Sequence, residues 1–288
     1  MKLKQSLKNA VRPVLLLSLA LIVTAFLYGC RGPIEPTYKE EDIPSLVKQI
    51  CQNEYHLEVI TKRTPTTLWI YAPLAKILDK DYGQKGEKIF DEEIMNKLRN
   101  ILNTMGRVLI SSDKAPEFFA LLASDINLGL DYTIIGNTLD MKKSYAGFIP
   151  WTEANRRYVL ELKAAPQAIG DTTAKHLQAY DIRLADFLAE QIAQRIVVQF
   201  QEEGLKKYFK VNKSEGRFNN GTFIFEYSIE QIANFEKKIK ILKEILNTVA
   251  YCLKTYEFHD FSSVEIKDLL SGDKLILNKE EVLRGSIL

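Results

Sequence analysis

Apolar residues recur at steps of three and four along several parts of the chain, and this period predicts amphipathic helices. The segments that show it are 42–52, 91–105, 171–207 and 228–253. Asp91 has the position of an N-cap, and Ser228 with Gln231 fits a capping box. Pro116 and Gly129 bracket a further predicted helix, since proline suits the first turn of a helix and glycine its end.

Runs rich in β-branched and aromatic residues, several with alternating polar positions, predict strands between these helices. They cover 55–63, 67–73, 107–111, 130–142, 156–164, 208–213, 217–227, 264–270 and 274–279. The runs 208–213 and 217–227 are predicted to form a hairpin. Together the elements predict an α+β fold in which long amphipathic helices pack on antiparallel sheet. We expect an N-terminal α+β part at 42–171 and a C-terminal α+β part at 172–288, either separate or forming one continuous domain.

A short internal similarity is compatible with repeated helix-plus-hairpin units. The run NILNTMGRVLIS at 100–111 resembles EILNTVAYCLKT at 244–255. Each run lies at the end of a predicted helical pattern. The match is so short that chance explains it slightly better than duplication, and the sequence leaves both interpretations open.

The first 29 residues have the pattern of a secretory leader. Lys2, Lys4, Lys8 and Arg12 give the leader its positive charge, and it contains no acidic residue. The apolar run at 14–27 is shorter than the ~20 residues that a membrane-spanning helix needs. These features predict export, either with removal of the leader or as an uncleaved signal anchor.

The leader ends in LYGC at 27–30, which resembles a bacterial lipobox. Leucine stands three positions before the cysteine and glycine directly before it, whereas Tyr28 stands where a small residue is usual. The resemblance implies a bacterial lipoprotein in which 1–29 is a signal peptide, Cys30 is lipidated and 30–41 is a tether.

The resemblance also implies a location. Two or three acyl chains on Cys30 would hold the protein on a bilayer, because each buried CH₂ contributes ~0.8 kcal/mol. Arg31 follows the cysteine, where aspartate would indicate retention at an inner membrane. We therefore expect a lipid-anchored protein of the cell envelope, at the outer membrane and facing the periplasm, with the membrane and other envelope proteins as partners.

The charge of the chain argues against nucleic acid as a partner. The whole chain has a formal net charge of +2, and the leader holds four positive and no negative charges, so the remainder carries about −2 (2 − 4). Such a balance lacks the basic excess that neutralises phosphates.

The central part of the chain resembles a domain shared by curli-secretion-channel-like lipoproteins and penicillin-binding-protein-activator lipoproteins. The residues that carry the resemblance are Leu128, Gly129, Leu130, Asp131, Tyr132, Gly136, Tyr158, Leu160 and Leu162. They fit a leucine-glycine-x-aspartate-tyrosine strand that ends in glycine and a following Y-x-L-x-L strand. The resemblance covers about a third of the chain and implies an αβ domain that docks on envelope proteins and has no catalytic residues.

Neither the histidines nor the cysteines predict a metal or cofactor site. His56, His176 and His259 are far apart and lack companions at ligand spacing. Cys51 and Cys252 could form a disulfide in an exported protein, or remain separate core thiols. No G-x-S-x-G elbow, P-loop or dinucleotide-binding glycine pattern occurs in the sequence.

The densest polar and aromatic cluster of the sequence consists of Trp151, Glu153, Arg156 and Arg157. One interpretation is a loop that contacts a partner or a sugar, with Trp151 as its anchor. The other is an exposed linker whose tryptophan packs on the core.

The sequence therefore predicts a non-catalytic interaction or scaffold protein at a membrane surface. A binding protein for a small ligand or glycan and a hydrolase with a dispersed site are the alternatives. An interaction protein should have an exposed apolar patch, and a ligand-binding protein should have a concave pocket that contains Trp151 or Trp69. An enzyme should cluster ionisable groups with shifted pKa values in a cleft.

Overall fold

The computed structural model describes residues 37–79, 90–202, 204–233 and 241–284. The leader, Cys30 and most of the tether lie outside these residues, so lipidation stays a prediction. From Tyr38 onward the chain forms one compact unit. The elements confirm the predicted α+β class: the described residues form seven α-helices and two mixed sheets.

The first sheet has five strands in the spatial order β1-β2-β3-β4-β5. They are β1 Ile60–Arg63, β2 Thr67–Leu74, β3 Phe118–Asp125, β4 Leu130–Asn137 and β5 Val159–Ala164. Helix α1 Ile43–Tyr55 precedes the sheet, and α2 Glu92–Ile110 connects β2 to the parallel strand β3. The short helices α3 Thr138–Tyr145 and α4 Trp151–Asn155 lie between β4 and the edge strand β5.

The second sheet has four strands in the order β6-β7-β8-β9. They are β6 Phe209–Asn219, β7 Thr222–Gln231, β8 Ser263–Asp268 and β9 Lys274–Asn278. Helix α5 Leu184–Gln201 precedes this sheet, α6 Ile241–Thr255 connects β7 to the parallel strand β8, and α7 Lys279–Arg284 follows β9. None of the helices in the described ranges is long and apolar enough to cross a membrane.

The two sheets share one order of elements. Each contains a helix, an antiparallel hairpin, a crossover helix and a further antiparallel pair, and the first sheet has β5 as an additional edge strand. The similar runs at 100–111 and 244–255 fall at the ends of α2 and α6, the two crossover helices. This equivalence favours duplication of a helix-plus-hairpin unit over chance.

The first sheet separates two layers of the core, because successive side chains of a strand point to opposite faces. Leu68, Ile70 and Leu121 pack with α1 and α2 on one face. Trp69 and Tyr71 point to the other face and join a core shared with α5, α6 and the second sheet. This second face also holds a cleft, which is lined by residues of β4, β5, α5 and β6.

Two predictions around β3 are wrong. The predicted strand at 107–111 lies at the end of α2, and the predicted helix between Pro116 and Gly129 is instead β3. Every residue of β3 is buried, so its sequence is apolar at nearly all positions and shows neither period. Burial on both faces, rather than local preference, makes this segment a strand.

The starts of two predicted helices are also wrong. The sheets, which we expected to be antiparallel, each combine antiparallel pairs with one parallel pair. The segment 171–183 is irregular and α5 begins only at Leu184. Ser228 and Gln231 lie in β7, so they do not cap the helix that begins at Ile241. The parallel pairs are β2 with β3 and β7 with β8, because a crossover helix joins the two strands of each pair.

Candidate functional site

A row of polar side chains crosses one face of the first sheet near the ends of its strands. Strand register sets Ser124 beside Asp131 and Asp131 beside Lys163. The next row on the same face contains Leu122, Thr133 and Glu161. This is the face opposite to α1 and α2, and the alternation of the strands alone places these groups on it.

The irregular segment 171–183 crosses this face and is held there by hydrogen bonds. Lys62 Nζ donates to the carbonyl oxygens of Ala174, at 3.0 Å, and Leu177, at 3.1 Å. Trp69 Nε1 donates to the carbonyl oxygen of Tyr180 at 2.9 Å, and the two rings lie 5.0 Å apart. These bonds satisfy backbone carbonyls that neither a helix nor a sheet pairs.

His176, on this segment, lies between two buried carboxylates. Its Nδ1 is 2.7 Å from Asp171 Oδ2, and its Nε2 is 3.3 Å from Asp131 Oδ1. Ser124 Oγ donates to Asp131 Oδ1 at 2.5 Å. The side chains of His176 and Asp131 are only 6% and 3% exposed. The cluster joins the irregular segment to the sheet and forms part of the cleft floor.

Ser124, His176 and Asp171 have the connectivity of a nucleophile, a base and an orienting acid, with Ser124 Oγ 3.4 Å from His176 Nε2. Their environment argues against that role. Ser124 is fully buried, and its hydroxyl proton is directed to Asp131 instead of the imidazole. A substrate carbonyl cannot reach this oxygen, so the arrangement stabilises the floor of the cleft and does not supply a nucleophile.

Above this floor lies a cleft of about 940 Å³. Its walls come from the edge strand β5, from one side of α5, from the edge strand β6 and from the irregular segment. The polar side chains that line it include Glu161, Lys163, Lys175, Gln178, Glu190, Gln194, Ser214 and Arg217. Trp69 contributes to the floor, and the half-exposed ring of Tyr180 lies at the rim.

Most charges in the cleft are paired within the chain. Lys163 Nζ lies 3.1 Å from Glu161 Oε2. Glu190 differs, because no side chain among the described residues forms an ion pair or hydrogen bond with its carboxylate. Desolvation by the cleft walls, with the nearby charges of Glu161 and Asp186, raises the pKa of Glu190. An unpaired carboxylate with a raised pKa marks a position where a ligand cation would be stabilised.

The four residues that the sequence predicts as a contact cluster fall into two groups in the structure, one buried or half-buried and one exposed. Arg157 is buried, with NH1 2.7 Å from Asp140 Oδ1 and Nε 3.0 Å from Glu153 Oε1. Arg156 is exposed and pairs with Glu202. Glu153 and Arg157 therefore serve the interior of the protein, while Arg156 and Trp151 remain accessible.

The network around Arg157 connects helices of both halves of the chain. Arg195 of α5 binds Glu153 through NH2, at 2.6 Å, and through NH1, at 3.3 Å. Tyr256, just after α6, donates to Asp140, and Gln191 of α5 donates to Tyr256 at 2.8 Å. Burial alone would raise the pKa of Glu153, but its bonds to Arg195 and to Arg157 hold this pKa below its usual range.

Trp151 belongs to an exposed aromatic surface formed by Tyr145, Phe148 and Trp151. Phe148 is 80% exposed and Trp151 56%. The rings of Tyr145 and Trp151 meet edge to face at 5.9 Å. Trp151 is thus exposed in the structure and does not pack on the core, as one of the two interpretations of the sequence had it.

The other residues singled out from the sequence do not form a site. Cys51 and Cys252 are free thiols in separate core clusters, so the disulfide that the sequence left open is not formed. Burial raises the pKa of Cys252 to about 12. His56 and His259 are exposed and do not line the cleft. In the described ranges, no group of three or more histidine, cysteine or acidic side chains could hold a metal ion.

We expect Asp171 to make the folded state sensitive to acid. Burial would raise the pKa of Asp171, but hydrogen bonds from the His176 backbone and ring, and from Thr173, hold this pKa well below its usual range. A carboxyl group whose pKa is depressed by folding stabilises the protein fully above its unfolded pKa of ~3.9. The stabilisation is lost as the pH falls from there through the lower folded pKa.

The urea midpoint of the wild-type protein should therefore fall more steeply below about pH 4 than that of Asp171→Asn. The variant should already be less stable at pH 7, by about 2 kcal/mol, because charge-assisted hydrogen bonds are lost. Asp186→Asn is the control, because this exposed carboxylate pairs with Arg183 at the surface of α5. If the urea midpoints of wild type and Asp171→Asn fell equally steeply with pH, the lowered pKa of Asp171 would be contradicted.

Sequence reasoning missed the cleft, although one signal was present. Asp131 and Thr133 alternate with apolar residues in β4, as Glu161 and Lys163 do in β5. Two neighbouring strands with polar residues on one face indicate a face that is not fully covered. The approach of His176 to Asp131, 45 positions away in sequence, had no local signal.

Comparisons of the chain with family models, with curated proteins and with solved structures found no match. The role of the cleft is therefore inferred from its own geometry and chemistry.

Proposed function

We propose that the protein is a lipid-anchored lipoprotein of the cell envelope that binds a partner in the cleft and does not catalyse a reaction. The observation that carries the proposal is the cleft itself, with an aromatic rim and a floor fixed by buried hydrogen bonds. A floor whose polar groups are already paired is rigid, and rigidity reduces the entropy lost on binding.

The chemistry of the cleft supports binding over catalysis. The buried acid, base and hydroxyl groups of its floor are bonded to one another. Lys163 and Glu161, two positions apart on β5, form an ion pair in the wall of the cleft. Glu190 is exposed, has a raised pKa and forms no ion pair among the described residues, and a single carboxylate can select a cation without any partner in proton transfer.

The predicted anchor at Cys30 would give this binding its context. A protein confined to one membrane surface meets partners on that surface at raised effective concentration. Moderate affinity in the cleft would then be enough for an interaction or scaffold role. The exposed aromatic surface around Trp151 would be available for a second contact at the same time, because it belongs to α3 and α4 and not to the cleft lining.

A second candidate is a binding protein for a small ligand or glycan. The volume of the cleft lies within the range of ~300–1,000 Å³ that is usual for ligand pockets. The exposed ring of Tyr180 could stack on an apolar ligand face. The two candidates differ in what would be found in the cleft, which is either a macromolecule or a small molecule.

Photo-crosslinking from the cleft separates these candidates. A photoreactive residue in place of Gln178, which is exposed at the cleft, should give a discrete adduct of higher mass in intact envelopes. The matched control is Lys48 on α1, which is exposed on the opposite side of the first sheet and should give no such adduct. Glu190→Lys in the Gln178 background should reduce the adduct, and Cys30→Ala should reduce it by releasing the protein from the membrane.

Each outcome has a consequence. The same adducts from Gln178 and Lys48 would mean that the cleft is not the binding surface. Absence of an adduct from Gln178, with a small molecule that co-purifies and is lost in Glu190→Lys, would favour the second candidate. Absence of both would contradict binding in the cleft altogether.

A further inference from the structure

The outer edge of β5 is only partly paired. In an antiparallel ladder, alternate residues direct their backbone N–H and C=O toward one neighbour or away from it. Leu160 directs both groups away from β4, because its N–H donates to Gln194 Oε1 at 2.9 Å and its carbonyl accepts from Gln194 Nε2 at 2.7 Å. The side-chain amide of Gln194 thus binds Leu160 as a residue of a neighbouring strand would.

The next outward residue is Leu162, two positions further along β5. By the same alternation its N–H and C=O point away from β4. No bond to either group is present among the described residues. Glu161 and Lys163, which flank it, line the cleft. The backbone N–H and C=O of Leu160 are therefore occupied, whereas those of Leu162 are vacant and lie beside the cleft. Vacant backbone groups at the edge of a sheet are a template for another strand.

Charge near this vacant pair favours a basic group. Glu190 precedes Gln194 by one helical turn and lies on the same side of α5. The charges of Glu161, Asp186 and Lys163 act on its carboxylate, and Glu161 and Lys163 lie on either side of Leu162. The carboxylate of Glu190 thus lies near the vacant pair and forms no ion pair among the described side chains, since Lys163 pairs with Glu161.

The opposite face of β5 is apolar. The side chains of Leu160 and Leu162 are each 41% exposed, because α1 and α2 do not extend over this edge strand. Cross-strand apolar pairs contribute to the binding of a strand. The edge therefore offers an apolar face, a polar face with an acidic group, and main-chain hydrogen bonds between them.

We propose that the cleft holds an extended peptide segment of a protein partner, which adds to β5 by pairing its main chain with Leu162 and sets a basic side chain beside Glu190. This mode of recognition takes affinity from main-chain hydrogen bonds and specificity from alternate side chains. The inference rests on the proposed function and specifies the partner as a polypeptide with alternating apolar and basic residues.

The test uses the purified full-length protein and a blocked, dye-labelled nonapeptide that alternates valine with lysine. Binding is measured by fluorescence anisotropy, with a peptide that alternates valine with glutamate as the matched probe. The lysine peptide should bind wild type at least about tenfold more tightly than the glutamate peptide does. Glu190→Gln should reduce this preference.

Two measurements address the main-chain pairing. Leu162→Pro removes the outward N–H and leaves the bonds of β5 to β4, since proline is tolerated on the free side of an edge strand. Leu162→Pro should lower the affinity for the lysine peptide about tenfold. Leu162→Val retains the N–H and should change this affinity less than about threefold. In the wild-type protein, hydrogen exchange of the Leu162 amide should be fast and should slow when the peptide binds. The Glu161 and Lys163 amides should be protected throughout.

Unchanged exchange at Leu162 in the presence of bound peptide would overturn the inference without any variant. Equal binding of the peptide to Leu162→Pro and wild type would overturn it as well, as would no binding of the lysine peptide. If adducts from Gln178 persist in any of these cases, the cleft still binds a partner and only the strand pairing is wrong. If the adducts from Gln178 are also absent, the proposed function fails together with the strand pairing.

Discussion

Replacing Arg157 with methionine is expected to lower the free energy of unfolding by about 3–5 kcal/mol. The side chain is 10% exposed and neutralises two carboxylates, Asp140 and Glu153, that are 11% and 20% exposed. Methionine keeps much of the volume and removes the charge. Asp140 would then be buried without a cation, and the desolvation of an unpaired carboxylate costs far more than a lost surface ion pair.

The neighbouring arginine supplies a matched control for this prediction. Arg156 pairs with Glu202, but the two side chains are 45% and 48% exposed. Because exposed ion pairs contribute about 0–1 kcal/mol, Arg156→Met should shift the urea midpoint only slightly. Urea unfolding of both variants at neutral pH checks the pair. Similar losses in the two variants would mean that the buried network does not hold α3, α5 and α6 together.

Replacing Gly216 with alanine should cost about 3 kcal/mol or more, the upper part of the range for overpacked sites. A Cβ at this position of β6 would lie 2.1 Å from the carbonyl oxygen of Ala189 in α5 and 2.9 Å from the ring of Phe225. Backbone oxygen atoms cannot rotate away, so α5 would have to move off the second sheet. Because Gly216 and α5 also line the cleft, the adduct from Gln178 should decrease in the same variant.

Gly204→Ala is the matched control for this substitution. No heavy atom lies within 4 Å of a Cβ built at Gly204. Alanine there should change stability by less than about 1 kcal/mol in either direction. Thermal and urea unfolding of the two variants, measured side by side, test the close approach of β6 to α5. A loss for Gly216→Ala no larger than for Gly204→Ala would contradict it.

The elements that the sequence predicted correctly are those whose evidence is local. Strands β2, β8 and β9 have β-forming residues bounded by turn residues. The β6-β7 hairpin was also predicted, but its turn lies at Asn220 and Gly221, which both have positive φ, and not at 214–216 between the two predicted strands. Asp91 caps α2 by accepting from the backbone N–H groups of Glu93 and Ile94. A cap, a turn and a period each involve residues within a few positions of one another.

The elements that were predicted wrongly are those that burial decides. β3 is apolar throughout because it lies at the centre of a sheet covered on both faces, and such a run does not distinguish strand from helix. The segment 171–183 has a helical period in part, but Trp69, Lys62 and the carboxylate–imidazole cluster hold it extended across the sheet.

The candidate site was almost wholly a matter of tertiary structure. Glu153 and Arg157 were singled out because they belong to the densest polar and aromatic cluster of the sequence. In the structure, Glu153 binds Arg195 and Arg157 binds Asp140. Glu190 and Gln194 sit within an ordinary amphipathic helix, and nothing in that pattern indicates that one side of it lies along the edge of β5.

By itself, the sequence determined the α+β class and most of the strands, because these depend on composition and on short-range periodicity. Its leader pattern predicts export and lipidation of Cys30, and both stay predictions. Only the tertiary structure decided the order of the strands, the burial of the Arg157 network and the cleft between α5 and the two sheet edges. The physical reason is that hydrogen bonds and ion pairs across 45 or more positions have no local signature until packing brings their groups together.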